Sequence, residues 1–381
     1  MRIHVKPKDF LARFRLAASV VATTDIVPIL QFVKATTDKE QGVTLQATDG
    51  EVTIRLCADC EVSTDGATLL PSKRLAQILD LTDEEELTLD RTDDGLTIGG
   101  ADETYSCSTF LPDEFPDIEE FTETAYHEIP AKVLREMIRR TIFATDAEHQ
   151  KYALGGVCFE MDGNRVSVIA TDGRRLAWQE GYGKCVNDHK AETAIVPARM
   201  LQILDRILGD KCIGEDDNVK MALHVTVDDR DMVSGTVLFQ CNDITLFSRL
   251  IEGRFPKWRG IIPKTEGDTP AFVKCGELLP AVLKAQVATS DDYPGIQFMF
   301  GDGILTLQGQ GKETGIAKIE LPLTYGGTTK TPTLDAKFMT GFLKVLSADM
   351  KLSIFLPPDN DPIKITAEND GYTYVVMPMS S

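Results

Sequence analysis

Apolar positions return at three- and four-residue spacing in several stretches of this chain, and a proline or a carboxylate stands at the head of each. Leu134, Met137, Ile138, Thr141 and Ile142 fall on one helical face after Pro130, whose fixed φ suits a first helical turn. Pro7 stands 123 residues earlier and leads into Leu11, Phe14 and Ala18. Second helices are predicted near Pro71, Pro197 and Asp335, with Leu75, Ile78 and Leu79 in the first and Met339, Phe342 and Leu343 in the last. Between the helices the period drops to two. Val52-Thr53-Ile54-Arg55-Leu56, Val166-Ser167-Val168 and Lys318-Ile319-Glu320-Leu321 alternate as strands do, and Asp94-Gly95, Asp162-Gly163 and Asp302-Gly303 supply tight turns. Strands joined by such turns pair antiparallel, so the class is α+β with sheets that pack helices on one face.

The elements repeat. Leu75-Ala76-Gln77-Ile78-Leu79-Asp80 returns 125 residues on as Met200-Leu201-Gln202-Ile203-Leu204-Asp205, and Ala47-Thr48-Asp49-Gly50 returns 123 on as Ala170-Thr171-Asp172-Gly173. Phe115-Pro116 recurs as Phe255-Pro256, 140 residues on, which puts inserted residues in the second copy, around Glu215-Asp216-Asp217 and Asp228-Asp229-Arg230-Asp231. The length of 381 leaves room for a third copy, and the expected division is 1–126, 127–254 and 255–381. Tandem copies of a domain-sized unit suggest a scaffold built by symmetry, because a single active site needs only one copy.

Composition narrows the class further. A hydrophobic share of 43% with 26% charged residues reads as globular. No run approaches the ~18 apolar residues of a membrane span, and Met1-Arg2-Ile3-His4-Val5-Lys6 is too polar for a signal peptide. A cytoplasmic protein without membrane association is expected. The eight cysteines are scattered, in a chain too large to need disulfide staples. Only Cys57-Ala58-Asp59-Cys60 has ligand spacing, and without a second pair it reads as strand cysteines.

No catalytic constellation emerges, and no metal or cofactor is expected. Gly309-Gln310-Gly311-Lys312 resembles a phosphate loop, but Thr306 stands where that pattern needs Gly and Glu313 where it needs Ser or Thr. A polar hairpin loop is the reading. The runs Asp83-Glu84-Glu85-Glu86 and Asp113 to Glu120 could attract a divalent ion, but consecutive like charges on a turn read as solvated.

The net charge of −19 argues against a coat of basic residues, yet position matters more than the sum. Lys8 and Arg15, Lys132 and Arg139, Arg199 and Arg206, and Lys337 and Lys344 are each seven apart, a spacing that leaves a helix only ~20° out of register. Arg135 and Arg140 add to the second pair. Positive charge gathered on helices of all three copies predicts a common surface that tracks phosphates.

Taken together the chain resembles the bacterial sliding clamp, the beta subunit of DNA polymerase III. Val27-Pro28-Ile29-Leu30, Ala170 to Ala177 (Ala-Thr-Asp-Gly-Arg-Arg-Leu-Ala), Gly253-Arg254-Phe255-Pro256 and Tyr374-Val375-Val376-Met377-Pro378-Met379 carry the resemblance, in this order and at these separations. It implies a non-enzymatic ring of two chains joined head to tail, with helices lining the hole and sheets outside. It implies double-stranded DNA held without base readout, and a replicative polymerase, a clamp loader and other polymerases and repair proteins as partners. The family has one apolar peptide pocket per chain, and the resemblance places its walls at Leu154, Thr171, Gly173, Arg175, Leu176, Pro256, Ile261, Val375, Val376, Met377, Pro378 and Met379. Two positions depart from the pattern. Asp25 falls where an Arg often grips DNA, and Ser380-Ser381 replaces a basic and an aliphatic residue. A repeat scaffold that binds only protein is the alternative, and an enzyme using the acidic loops to hold metal is a more distant one.

Overall fold

A computed structural model describes the chain except for residues 23–25, 39–41, 117–121, 147–152, 190–192, 230–231, 266–267, 291, 302, 312–313, 358–360, 369 and 380–381. Asp25, Asp302 and Ser380-Ser381 therefore lie outside the described residues.

The first copy runs β1 (Arg2–Val5), α1 (Pro7–Ala18), β2 (Phe32–Asp38), β3 (Gly42–Thr48), β4 (Val52–Ala58), β5 (Glu61–Thr64), β6 (Gly66–Pro71), α2 (Ser72–Leu81), β7 (Leu87–Thr92), β8 (Gly95–Gly99) and β9 (Thr104–Cys107). The second runs β10 (Tyr126–Pro130), α3 (Ala131–Thr141), β11 (Gly156–Asp162), β12 (Arg165–Thr171), β13 (Arg175–Tyr182), β14 (Lys184–Val186), β15 (Thr193–Pro197), α4 (Ala198–Leu208), β16 (Asn218–Val227), β17 (Val233–Cys241) and β18 (Ile244–Arg249). The third runs β19 (Ala271–Lys274), α5 (Cys275–Gln286), β20 (Gly295–Gly301), β21 (Ile304–Gly311), β22 (Gly315–Pro322), β23 (Thr333–Asp335), α6 (Ala336–Lys344), β24 (Lys351–Phe355), β25 (Ile363–Ala367) and β26 (Tyr372–Val376). No helix among the described residues is long and apolar enough to cross a membrane.

Each copy packs its two helices together, α1 on α2, α3 on α4 and α5 on α6. The spacing that predicts them is the spacing that is buried: Phe10 and Phe14, Leu134 and Ile138, Leu201 and Leu204, Met339 and Phe342 all face the core, each burial contributing about 1.5–3 kcal/mol. The prolines differ in role. Pro7 takes a first helical position. Pro71, Pro130 and Pro197 instead precede their helices with ψ of 109°, 133° and 136°, so Pro130 closes a strand rather than opening the turn expected of it.

The repeated Ala-Thr-Asp-Gly is one turn made twice. Asp49 Oδ1 accepts the Glu51 and Val52 amides at 3.0 and 2.8 Å, and Asp172 Oδ1 accepts those of Arg174 and Arg175 at 2.9 and 3.0 Å. Gly50 and Gly173 take φ of +94° and +87°, a region that glycine enters without Cβ strain. In the third copy Gly309, Gln310 and Gly311 are not the loop expected of them: they are the last residues of β21, opposite Ala317, Ile316 and Gly315 of β22, and Lys312 lies outside the described residues. The inserted residues of copy two lengthen a hairpin: β16 and β17 have 10 and 9 residues where β7 and β8 have 6 and 5.

All strand pairings are antiparallel, and two sheets cross the boundaries between copies. A nine-stranded sheet runs β14-β10-β16-β17-β18-β4-β3-β2-β6, and an eight-stranded sheet runs β15-β11-β12-β13-β26-β25-β24-β19. At the first joint Thr245 opposes Arg55, and at the second Leu176 opposes Val375. Both joints follow one rule. The last strand of the later copy pairs with the third strand after the opening helix of the copy before it. By that rule β9 and β22 have no counterpart among the described residues, and each stands at the edge of its own sheet, β5-β1-β7-β8-β9 and β22-β21-β20-β23.

Candidate peptide groove and basic helix faces

The second joint brings Arg175 and Leu176 against Val376 and Val375 in register, with Met377 following. β26 is an interior strand between β13 and β25, so the Val-Val-Met-Pro-Met end is not the frayed edge strand that its sequence also allows. Beyond it the tail crosses from one sheet to another: Met377 N–H donates to Arg174 O and Met379 N–H to Thr333 O, both at 2.8 Å. Met377 is 40% exposed between those anchors. Thr171 Oγ1 donates to Arg175 O at 2.6 Å and fixes the turn that carries Gly173. Arg175 is held by Asp172 at 2.9 Å and lies over the rings of Phe338 (4.4 Å) and Phe143 (5.5 Å), which ties the second copy to α6 of the third.

The twelve positions do not all present side chains. Leu176, Val375, Val376 and Thr171 are buried. Leu176 and Val375 form a small core with Cys158, Ile169 and Trp258, flanked by Phe255 and Trp178, so their contribution is a floor already covered. Leu154, Pro256, Pro378 and Met379 are half-buried. Met379 packs by Gly295 of β20, where a Cβ would lie 3.2 Å from its sulfur, and its amide bonds to Thr333 of β23. Ile261, 43% exposed, turns into a groove of about 490 Å³ with Pro263, Phe355, Pro357 and Pro362. The aromatic members Trp258, Phe338 and Phe143 were missed by sequence reasoning. Trp258 stands two residues past Pro256, just outside the Gly253–Pro256 segment that carries the resemblance; Phe338 and Phe143 reach Arg175 only through long-range packing.

The basic positions divide. Lys8, Arg15, Lys132, Arg139, Arg199, Arg206, Lys337 and Lys344 are all exposed. Lys132, Arg135, Arg139 and Lys344 line one cleft of about 540 Å³ between the second and third copies. Several carry carboxylate partners: Arg15 with Asp80 at 2.7 Å, Lys132 with Glu215 at 2.9 Å, Arg135 and Arg139 with Asp205 at 3.1 and 3.9 Å, and Arg199 with Asp49 at 2.7 Å. Exposed pairs of this kind are each worth ~0–1 kcal/mol, so a phosphate can displace the carboxylate. Arg140 does not belong with them. It is 4% exposed, bound to Glu136 at 2.5 Å, Asp370 at 2.8 Å and Gln179 at 2.9 Å. One step beyond Arg139 turns a helix ~100°, onto the face that meets β13.

All eight cysteines are free, and burial beside Asp59 pushes the Cys60 thiol up to about 12. Among the described residues no group of three or more His, Cys, Asp or Glu is placed to hold a metal ion.

Comparison with known proteins agrees across the chain. Residues 1–119 match the DNA polymerase III beta subunit, N-terminal domain, and residues 128–257 match the central domain of the same subunit. The beta sliding clamp of Pseudomonas aeruginosa is 24% identical over 100% of both chains, and that of Escherichia coli is 23% identical over 82% of each. Among solved structures the P. aeruginosa sliding clamp bound to griselimycin superposes with a TM-score of 0.88 at 23% identity over 100% of both chains. The Bacillus subtilis sliding clamp gives 0.89 at 19% identity, over 100% of this chain and 99% of that one.

Proposed function

The chain belongs to the DNA polymerase III beta subunit family, the bacterial sliding clamps, and from that premise we propose that two copies close head to tail into a ring of six domains around duplex DNA. As a family member it is a DNA polymerase processivity factor that works as a dimer on DNA. The division into clamp domains 1–126, 127–254 and 255–381 is part of the proposal.

One observation carries the ring: the joint rule is satisfied twice within the chain and leaves β9 and β22 as the two halves of a third joint. Pairing β9 of one copy with β22 of another repeats β18 on β4 and β26 on β13. A heterologous contact of that sort closes into a ring or runs on as a filament, and a ring leaves neither strand open to further pairing. The paired helices then turn their exposed lysines and arginines toward the hole. Their carboxylate partners keep each phosphate contact weak, which suits a protein that slides and reads no bases.

The groove at the second joint would receive short apolar segments of the polymerase, the clamp loader and repair proteins. Met377, Pro256 and Ile261 offer adaptable apolar surface, and Arg175 with Phe338 supports the far side. Griselimycin, bound by the P. aeruginosa clamp, is a compound to test in competition with such a segment on the present protein.

Enclosure is tested by topology. Protein loaded by its cognate loader is expected to stay on nicked circular DNA and to run off once that DNA is cut. Equal retention on both forms would exclude enclosure, and no retention on either would leave the protein-only scaffold.

A further inference from the structure

Between β18 and β19 the chain crosses the face of the eight-stranded sheet opposite its helices. Alternation along the strands turns Phe159, Val168, Ala177 and Tyr374 to the helix side and Cys158, Ile169, Leu176 and Val375 to this one. The crossing segment covers those four residues with Phe255, Trp258 and Ile262.

A single carboxylate fastens the segment. Glu160, on β11, accepts from Trp258 Nε1 through Oε1 at 2.8 Å and from Arg259 Nη2 through Oε2 at 2.6 Å. The Arg259 guanidinium in turn lies 4.3 Å over the Trp258 ring, so carboxylate, indole and guanidinium close on one another. Trp258 is 2% exposed, and the Trp178 ring is 4.9 Å away. A tight turn follows, in which Trp258 N–H donates to Pro256 O at 2.7 Å and Ile261 N–H to Trp258 O at 3.0 Å. Pro256 and Ile261 therefore hang on either side of the fastened residue.

We propose that Glu160 is a positioning residue of the peptide groove: it latches the crossing segment so that the wall carrying Pro256 and Ile261 is set before an apolar peptide arrives. The inference rests on the docking reading of that groove. Each Glu160 oxygen holds one donor of the segment, so in this proposal the residue acts through Trp258 and Arg259. A wall held in place removes an ordering cost from binding. Trp258 and Trp178 are the only two tryptophans in the chain, so emission excited selectively at tryptophan reports on the latched ring and on the ring packed against it.

The test uses full-length protein and a fluorescein-labelled peptide from the replicative polymerase of the same organism, containing its apolar motif, followed by anisotropy. Glu160→Ala is expected to weaken binding about tenfold, through loss of pre-organisation, and to shift tryptophan emission to longer wavelength. Glu160→Gln keeps the acceptor for Trp258, and Arg259→Met removes only the charged arm on the surface. Each is expected to lose about threefold, between the other two proteins. Wild-type affinity in a dimeric Glu160→Ala protein, or unchanged emission in it, overturns the latch while the groove stands. A wild-type protein that ignores the peptide overturns the docking reading and the latch with it.

Discussion

His127 is fully buried, and its partners fix where each proton lies. Its Nε2 is 2.8 Å from Gly163 O and must donate, so Nδ1 is bare and accepts from His189 Nδ1 at 2.9 Å. His189 Nε2 then accepts the Leu223 amide at 3.3 Å. Two neutral rings thus relay one unbroken line of donors from β16 to the β11–β12 turn, with no nitrogen left to take another proton. Burial lowers both rings below the usual 6.5, and His189 is lowered further by His127 and His224, against opposing effects of the Leu223 backbone and Glu123. A histidine whose folded value is depressed contributes stability that is whole above about 6.5 and is lost as pH falls below it. The thermal midpoint of the wild-type protein is expected to drop between about pH 7.5 and pH 5.5. His127→Leu should cost about 1 kcal/mol at the higher pH through loss of its hydrogen bonds to Gly163 O and His189 Nδ1 and should flatten the pH profile; a profile equally steep in the variant would refute the relay. None of this was legible in the sequence, because no spacing links His127 to His189. Arg140 was misplaced for a similar reason: its burial depends on Asp370, brought from the third copy by folding.

Helices and turns were legible because their causes are local. Proline, the Asp-Gly pairs and three-and-four spacing fix α1, α3 and the Asp49 and Asp172 turns within a few residues. The seven-residue pairs also came from local arithmetic, and all eight of those side chains are exposed. No local pattern foretells that Asp205 on α4 serves both Arg135 and Arg139 on α3. This sets unequal expectations for the helices. Arg206 and Lys344 carry no ion pair among the described residues, whereas Arg199 must first leave Asp49. Arg206→Glu with Lys344→Glu changes four side chains in a ring of two copies and should therefore lower the slope of log affinity against log salt by up to about 3.6, near 0.9 for each phosphate no longer neutralised. Arg199→Glu alone should change it less. DNA association measured across a salt series checks both, and an unchanged slope in the double variant returns these helices to the role of solvated faces.

At the scale of the whole molecule the repeat was readable and the joints were not. Internal similarity located copies, but pairing Thr245 with Arg55 or Leu176 with Val375 spans most of two copies, and any hydrophobic strand of suitable length would satisfy the local pattern at such a distance. The unfilled edges make the test. Ile316 on β22 is 66% exposed and Tyr105 on β9 is 37% exposed, so Ile316→Asp should convert dimers to single chains in sedimentation while the helical content stays. A dimer unaffected by that charge would place the contact elsewhere. The same edges bear on mechanical failure. In a closed ring four of the six seams are backed by continuous polypeptide and two are only strand laid against strand. Any force that pries the circle apart is resisted covalently at the four and non-covalently at the two, which face each other across the diameter. The breach is therefore assigned before any opener acts, and releasing one seam yields an open crescent of two intact chains hinged at the other.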